Sequence, residues 1–199
     1  TDIAARIGAV NTVFVSDQGD LAGTNTDATG FMENLQRGAP AWQESSRPAV
    51  VLGAGGAARA VVVALIDAGV PEIRLLNRTV EKANILAADL TGPIKVVEWQ
   101  QRSEALAGAG LLINTTTLGM VKQEPLEISL EALPTDAVVN DLVYVPLETP
   151  LLAAARHRGL NAVDGLGMLL HQAVPGFEGW FGIRPEVTPE LRQYMLEAV

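Results

Sequence analysis

A glycine-rich turn at residues 53–58 is the segment whose residue types and spacing most clearly indicate chemistry. Its residues, GAGGAA, match the pattern G-x-G-x-x-A; they follow the apolar run PAVVL and open an Ala- and Val-rich stretch that ends at Gly69. In a strand–turn–helix unit the first glycine permits a tight turn, and the second lets the backbone approach a diphosphate. Free N–H groups at the helix start add donors and partial positive charge. The pattern predicts a dinucleotide site; the alternative is a turn that binds nothing.

The end of the next predicted strand indicates which dinucleotide binds. Sites for NAD usually have Asp or Glu there, which bonds the ribose 2′-hydroxyl. This chain has Asn77, Arg78 and Thr79 instead, and Lys82 lies one turn into the following helix. A guanidinium binds a 2′-phosphate, whereas a carboxylate would repel it. The sequence therefore predicts NADP(H) over NAD(H), although Arg78 and Lys82 would also suit a solvated helix face.

Three more polar or glycine-rich segments follow predicted strands, at residues 114–117 (NTTT), 141–144 (DLVY) and 164–168 (DGLGM). Open α/β sheets bind ligands at the carboxyl edge of their strands. Together the three segments predict a cleft for the nicotinamide, although each alone is also typical of a turn. Asn11 and Asp27 lie outside this unit. From the residues alone, a helix cap is the better explanation of Asp27.

Alternating strand and helix signals would position these residues. Residues 10–24 indicate a β-hairpin with its turn at 17–20, and a helix is expected after Asp27. Further strands are expected at 49–52, 72–76, 94–98, 111–114, 137–141 and 160–163, and helices at 57–68, 80–90, 101–107, 150–158, 165–181 and 188–199. This alternation predicts an α/β fold, a Rossmann-type doubly wound parallel sheet. The aperiodic stretch 38–48, with its Gly, Pro and Ser residues, predicts a domain boundary.

Composition argues against several classes of protein. The 199 residues are 48% hydrophobic and 19% charged, which is typical of a globular chain. No apolar run approaches the ~18–20 residues that span a bilayer, and the first residues are not those of a signal peptide. The chain has no cysteine, so we expect a cytoplasmic protein without a thiolate metal site. The net charge of −9 argues against a nucleic-acid partner. The sequence leaves a homodimer open.

The chain resembles the shikimate dehydrogenase family in seven motifs. They are GAVNT (8–12), GTNTD (23–27), VLGAGGAARA (51–60), NRT (77–79), NTTTLGM (114–120), DLVYVPLETPLL (141–152) and DGLGMLLHQA (164–173). The resemblance implies a reversible reduction of 3-dehydroshikimate to shikimate with NADPH, in aromatic amino-acid biosynthesis. The alternatives are a non-catalytic NADP(H)-binding module, or a relative that acts on quinate or an amino-substituted shikimate with NAD(H).

The same resemblance implies a role for each site residue. Asp27 is the catalytic aspartate, which pairs with a lysine around the reacting hydroxyl, and it contacts substrate with Asn11, Tyr144 and Gln172. The cofactor residues are Gly53, Ala54, Gly55, Gly56 and Ala57 at the pyrophosphate, Asn77, Arg78, Thr79 and Lys82 at the 2′-phosphate, Thr115 and Leu142 along the cofactor, and Gly165 and Met168 near the nicotinamide. No metal is implied.

The chain departs from the family pattern at its start. Family members carry a serine pair, a threonine and the catalytic lysine further toward the N-terminus, and here no lysine precedes Lys82. We therefore expect residues 1–37 to be a remnant of an α/β substrate domain, 48–165 the NADP-binding Rossmann domain, and 166–199 helices that return toward the substrate domain. Because a Lys–Asp pair would supply the proton for the developing alkoxide, we expect this polypeptide to bind NADP(H) but to reduce 3-dehydroshikimate poorly or not at all.

Overall fold

A computed structural model of the protein describes residues 1–16, 18–44 and 46–198. Three positions that the sequence assigned to elements lie outside the described residues: Asp17 of the hairpin turn, Ser45 of the boundary stretch and Val199 of the last helix. None of the described helices is both long and apolar enough to cross a membrane.

Helices and strands alternate along most of the described chain. The helices are α1 (Asp2–Ile7), α2 (Asp27–Gly38), α3 (Gly56–Asp67), α4 (Val80–Asp89), α5 (Pro150–His157), α6 (Leu166–Phe181) and α7 (Pro189–Ala198). The strands are β1 (Thr12–Val15), β2 (Leu21–Thr24), β3 (Ala49–Leu52), β4 (Ile73–Leu76), β5 (Ile94–Val97), β6 (Leu111–Asn114), β7 (Val138–Asp141) and β8 (Asn161–Val163). Short 3-10 turns span Pro40–Glu44, Trp99–Gln101 and Glu104–Leu106.

The strands β3 to β8 form one six-stranded sheet in which all neighbours are parallel. Their order is β5-β4-β3-β6-β7-β8, so the chain runs outward from β3 to β5 and then returns across β3 to β6, β7 and β8. This is the doubly wound order of dinucleotide-binding sheets. The predicted Rossmann-type α/β fold is confirmed. The order reverses between β3 and β6, whose last paired residues are Leu52 and Asn114, and ligands of such sheets bind beside that point.

Helices cover both faces of the sheet because the central strands are apolar on both sides. Every residue of β3 and β6 is buried. Val51 of β3 packs into the core under α2 and α3, whereas Val50 and Leu52 pack into the opposite core, which Leu151 of α5 closes. This alternation follows from the two-residue period of a strand. Because helices cover both faces, ligands of such a sheet bind beyond the carboxyl ends of its strands.

An antiparallel β1–β2 hairpin lies outside this sheet, as predicted. Helix α6 connects it to the rest of the molecule: the indole N–H of Trp180 donates to the carbonyl of Val13 at 3.0 Å, and α6 also packs along α2. Trp42, in the stretch where we predicted a domain boundary, is buried in the same core as Phe31 of α2 and Val51 of β3. The residues before β3 are therefore packed against the Rossmann unit, through contacts of α1 and α2 with α3.

Three short segments differ from the sequence prediction. The helix predicted at 101–107 is instead a pair of 3-10 turns, and Leu106, the last residue of the second turn, is completely buried. The helix α1 and the turn Pro40–Glu44 were not predicted. Six and five residues are too few for a 3.6-residue apolar period to be visible, and both depend on contacts with the rest of the core.

Candidate active site

The glycine turn joins β3 to α3 at the point where the sheet order reverses. Gly53 has φ +111°, a conformation that residues with a side chain rarely adopt. A Cβ at this position would lie 2.4 Å from Oγ1 of Thr115, which follows β6. The Gly53 N–H donates to the carbonyl of Leu76 at 2.7 Å, and this bond anchors the turn to the end of β4. Glycine is therefore required here by both the backbone angle and the packing.

The next two glycines leave an open space in front of α3. A Cβ at Gly55 or Gly56 would meet no described atom within 4 Å, whereas Ala58 is completely buried against the sheet. Within the described residues no side chain caps the first turn of α3, so its first N–H groups are left to an outside acceptor. An anionic diphosphate fits this arrangement, because it accepts those hydrogen bonds and meets the positive end of the helix dipole.

The turn after β4 carries the residues predicted to meet a 2′-phosphate. The Asn77 side-chain amide donates to the Thr79 carbonyl at 2.8 Å and closes the turn. Arg78 and Lys82 are exposed, and neither forms an ion pair within the described chain. Arg78 borders a cavity of about 380 Å³ that Trp99 also lines. The turn thus presents two uncommitted cations near the glycine-rich segment.

The ends of β6, β7 and β8 meet beside the glycine turn. Both the hydroxyl and the N–H of Thr115 donate to the Leu52 carbonyl, at 2.7 and 2.9 Å. The N–H of Leu142 donates to the Asn114 carbonyl at 3.0 Å, and a Cβ at Gly165 would lie 2.1 Å from the Leu142 carbonyl oxygen. The structure therefore brings Thr115, Leu142 and Gly165 to one edge, as predicted from their positions after the strands.

Two further predicted residues lie close to this edge in the chain. Met168 is buried in the first turn of α6, three residues after Gly165. Tyr144 is half-buried in the loop after β7 and makes no side-chain hydrogen bond to a described residue. Its phenol is therefore available to an added molecule.

A buried carboxylate, Asp141, lies at this edge; the sequence placed it at a strand end, in the segment 141–144, but did not indicate its burial. Its Oδ1 accepts hydrogen bonds from Asn114 Nδ2 (2.9 Å) and from the Val143 N–H (3.1 Å), and its Oδ2 accepts one from the Thr149 hydroxyl (2.6 Å). Burial raises the pKa of Asp141 to about 6, because desolvation disfavours the charged form more strongly than these donors favour it. The Thr149–Pro150 pair, a threonine cap before a first-turn proline, was the available sequence signal for part of this network.

A second polar cluster forms where β1 and α2 begin. The Asn11 side-chain amide donates to Asp27 Oδ1 at 2.8 Å and to Thr26 Oγ1 at 3.0 Å, and its Oδ1 accepts from the Thr26 N–H at 3.0 Å. The N-cap of α2 is Thr26, and Asp27 is the first helical residue. The interpretation of Asp27 as a helix cap is therefore wrong. Its carboxylate is held by Asn11, which lies 16 residues earlier in the chain.

Asp27 is half-buried, and its surroundings affect its protonation. Burial raises the pKa of the Asp27 carboxyl above its ordinary value, and the hydrogen bond from Asn11 opposes this effect only in part. A carboxyl group with an elevated pKa holds its proton closer to neutral pH, which suits a group that exchanges protons with a substrate.

Gln172 of α6 reaches the same cluster. The Thr26 hydroxyl lies within hydrogen-bond distance of Gln172 Oε1 (3.4 Å), and Gln172 Nε2 donates to the Leu169 carbonyl (3.1 Å). Asn11, Asp27 and Gln172 are thus brought together through Thr26, whose part the sequence did not indicate. Their amide and carboxylate groups are of the kind that exchange hydrogen bonds with hydroxyl groups.

The position of Gln172 depends on a close approach between α2 and α6. A Cβ at Gly30 would lie 2.6 Å from the Gln172 Cβ and 2.7 Å from its backbone nitrogen. We expect Gly30→Ala to force the helices apart at a cost of about 1–3 kcal/mol, which lowers Tm by about 2–4 °C per kcal/mol in a chain of this size. Thermal unfolding measures this. Gly176→Ala in α6 is the control, since its Cβ would have an ordinary 3.4 Å contact; equal Tm shifts in both variants would contradict the argument.

The sequence matches the family model described as shikimate / quinate 5-dehydrogenase over residues 38–143. It is 64% identical to the shikimate dehydrogenase (NADP(+)) of Paramagnetospirillum magneticum over 194 residues, which are 98% of this chain and 70% of that protein. It is 54% identical to the protein of the same name from Rhodospirillum rubrum over 200 residues, covering 98% of this chain and 71% of the relative.

Solved structures match the fold over almost the whole chain. Quinate dehydrogenase from Corynebacterium glutamicum in complex with NAD gives a TM-score of 0.91 at 32% identity, covering 99% of this chain and 71% of that one. Shikimate 5-dehydrogenase from Thermus thermophilus, in complex with NADP(H) and shikimate, gives 0.81 at 39% identity, covering 100% and 70%.

Proposed function

The chain belongs to the shikimate / quinate 5-dehydrogenase family, and we propose that it binds NADP(H) and serves the reversible reduction of 3-dehydroshikimate to shikimate in aromatic amino-acid biosynthesis. Because no lysine precedes Lys82 to pair with Asp27, we expect turnover by this polypeptide itself to be low. The observation that carries this proposal is the pairing of two sites. An open glycine turn lies at the switch point of the sheet, and α6, which starts at the same edge, carries Gln172 to the Asn11–Asp27 cluster.

Both backbone N–H groups and cationic side chains bind the cofactor. The turn from Gly53 to Ala57 holds the diphosphate with N–H groups, and Arg78 with Lys82 binds the 2′-phosphate. Asn77 and Thr79 fix the turn that presents them. Thr115, Leu142, Gly165 and Met168 surround the nicotinamide, which supplies or accepts the hydride when the cofactor is bound.

The substrate side handles the hydroxyl groups and a proton. Asn11, Tyr144 and Gln172 orient the substrate through its hydroxyls, and Asp27 lies at the reacting one. As shikimate is oxidised, the Asp27 carboxylate accepts the proton of that hydroxyl; in the reverse direction the protonated form returns it. The hydrogen bond from Asn11 holds the Asp27 carboxylate in place during this proton transfer.

The polar cluster favours an enzyme over a module that only binds a cofactor. Such a module has no use for the Asn11–Asp27–Gln172 cluster, whose carboxylate is half-buried at a cost in desolvation. A relative that acts on quinate with NAD(H) remains the second candidate. The absence of a carboxylate in the turn Asn77-Arg78-Thr79 argues against it.

We propose residues 1–37 as part of a substrate domain, 48–165 as the NADP-binding domain and 166–199 as helices that return to the substrate domain. The packing of α6 against α2 and β1 supports this division. A cytoplasmic location and a homodimer are proposed with it, and light scattering on the purified protein measures the oligomeric state.

Parallel titrations with NADPH and NADH test the cofactor assignment. We expect tighter binding of NADPH, and we expect Arg78→Gln to weaken NADPH by about 10–100-fold, since hydrogen bonds to charged groups contribute about 1.5–3 kcal/mol. NADH binding should stay within about twofold, because NADH has no 2′-phosphate.

The matched control is Arg6→Gln, which removes an exposed arginine paired with Asp67, away from the glycine turn. It should leave the affinities for both cofactors unchanged. Equal affinity of the wild-type protein for the two cofactors, or tighter binding of NADH, would contradict the role of Arg78.

A further inference from the structure

We propose that Asp141 is a positioning residue: its carboxylate fixes the two loops that carry Thr115 and Leu142 and so sets the place of the nicotinamide. The inference rests on the NADP(H) site proposed above. It assigns a function to a residue that is completely buried and therefore acts through its neighbours and not by contact with the cofactor.

The carboxylate joins three separate segments of the chain. Its partners are Asn114 at the end of β6, Val143 in the loop after β7, and Thr149 at the start of α5. All three groups are neutral donors, and Asn114 and Thr149 are as deeply buried as Asp141. Asp141 is therefore the common acceptor on which these three segments converge.

Asn114 and Thr149, which donate to Asp141, also form hydrogen bonds with residues of the loop after β6 and of α5. The Asn114 Nδ2 also donates to the Leu118 carbonyl, and its Oδ1 accepts from the N–H and the hydroxyl of Thr116. The loop that begins with Thr115 is thus held at several points. Thr149 accepts from the Leu152 N–H and caps α5 while it donates to Asp141.

The loop after β7 is fixed in the same way, and it fixes its neighbour. The bond from the Val143 N–H sets the backbone at Leu142, whose carbonyl lies where a Cβ of Gly165 would be. The Gly165 N–H also donates to the Val143 carbonyl at 3.3 Å. A shift of the Asp141 carboxylate would therefore reach Thr115, Leu142 and Gly165 together.

An acceptor without hydrogens is needed at this position. Three donors point at the two oxygens, and a carboxylate accepts all of them. An asparagine of the same shape brings an NH₂ group, which must face either the Asn114 NH₂ or the Thr149 hydroxyl. The first orientation leaves both the Asn114 NH₂ and the Val143 N–H without an acceptor, and the second leaves the Thr149 hydroxyl without one. In either case at least one buried donor loses its acceptor, and the loops must move to relieve it.

The adenosine half of the cofactor provides an internal reference. Gly53 is anchored to Leu76, and Arg78 lies after β4; neither is a hydrogen-bond partner of Asp141. Adenosine 2′,5′-bisphosphate contains the 2′-phosphate and the adenine but no nicotinamide. Its binding should thus depend on the turns after β3 and β4 and not on Asp141.

The experiment titrates NADPH and adenosine 2′,5′-bisphosphate into the wild-type chain and into Asp141→Asn. We expect the variant to bind NADPH about 10-fold more weakly or worse, and to bind the bisphosphate within about twofold of wild type. The fluorescence enhancement of bound NADPH should fall as well, because that emission reports the surroundings of the nicotinamide ring.

A matched pair at Thr149 gives a second test that leaves the carboxylate in place. Thr149→Val keeps the shape but removes the hydroxyl, and should reproduce the selective loss of NADPH affinity. Thr149→Ser keeps the donor and the cap, and should behave as wild type. If circular dichroism shows that Asp141→Asn does not fold, this pair decides.

The results separate the two proposals. Failure of the wild-type chain to bind either ligand overturns the NADP(H) site itself. Binding by the wild type with equal losses of both ligands in the Asp141 and Thr149→Val variants shows a general structural role and overturns the positioning role. Unchanged NADPH affinity in these variants overturns it too.

Discussion

Replacing Asp27 by asparagine is expected to lower the rate of NADP⁺-dependent shikimate oxidation by about 10²–10⁴-fold, the usual contribution of a general base. The reference is the wild-type chain, whose own rate we expect to be low because no lysine precedes Lys82 to pair with Asp27. Asparagine keeps the size of the side chain and an oxygen that can accept from Asn11, but it cannot take the proton of the reacting hydroxyl. The affinity for NADPH should stay within about twofold, because Asp27 belongs to the hairpin side of the site rather than to the glycine turn.

The pH profile supplies an independent check on this assignment. The elevated pKa of Asp27 means that its carboxylate is lost as the pH falls through that value, so shikimate oxidation should decline on the acid side. The residual activity of Asp27→Asn should lack that acid limb. Glu33→Gln, six residues further along α2, is the control and should behave as wild type. Turnover of Asp27→Asn within a few-fold of wild type would rule out the catalytic role.

The cofactor turn could be predicted from the sequence because its signal is local. Gly53, Gly55 and Ala58 follow one another within six residues, and the apolar strand before them and the helix after them are contiguous with the pattern. The strand–helix alternation that follows is local in the same sense. The predicted bounds of β3 and β6 agree with the structure, and those of α3 and α4 differ from it by about one residue.

The substrate cluster could not be predicted from spacing, because its members meet through tertiary contacts. The Asn11–Asp27 bond needs the β1–β2 hairpin to bring two residues together across 16 positions, and Thr26 meets Gln172 across 146. In the sequence Asp27 precedes an amphipathic helix, which is where a cap is expected. The resemblance to a family, rather than the pattern itself, pointed to its role.

The role of Asp141 could be predicted from the sequence even less well than that of Asp27. A single aspartate at the end of a strand is common in turns, and nothing local shows that it will be buried. Its burial follows from the parallel pairing of β7 with β6, which sets Asp141 directly beside Asn114. Thr149, eight residues later and the N-cap of α5, then completes the network. Only the sheet order makes these three residues neighbours.

The burial of Asp141 also predicts a dependence of stability on pH that is opposite to the usual behaviour of aspartates. Its pKa rises from 3.8 to about 6 on folding. The folded state therefore favours the neutral over the charged form of Asp141 by about 3 kcal/mol more than the unfolded state does. Between these two values the folded state binds a proton that the unfolded state has lost. The contribution of Asp141 to stability is therefore most favourable below about pH 4 and declines as the pH rises through about 6.

Comparison with Asp141→Asn isolates this contribution, since every other titrating group is shared. Urea unfolding at about pH 4, 5, 6 and 7 gives the free energy of unfolding of both proteins. We expect the wild-type value minus the variant value to fall by about 2 kcal/mol over this range and to level off above about pH 7. If this difference in unfolding free energy stays constant with pH, or grows as the pH rises, the folded state accommodates the charged form of Asp141 as readily as the neutral form. The three donors would then fully offset its desolvation, and the edge of the sheet would hold a permanent negative charge below the nicotinamide.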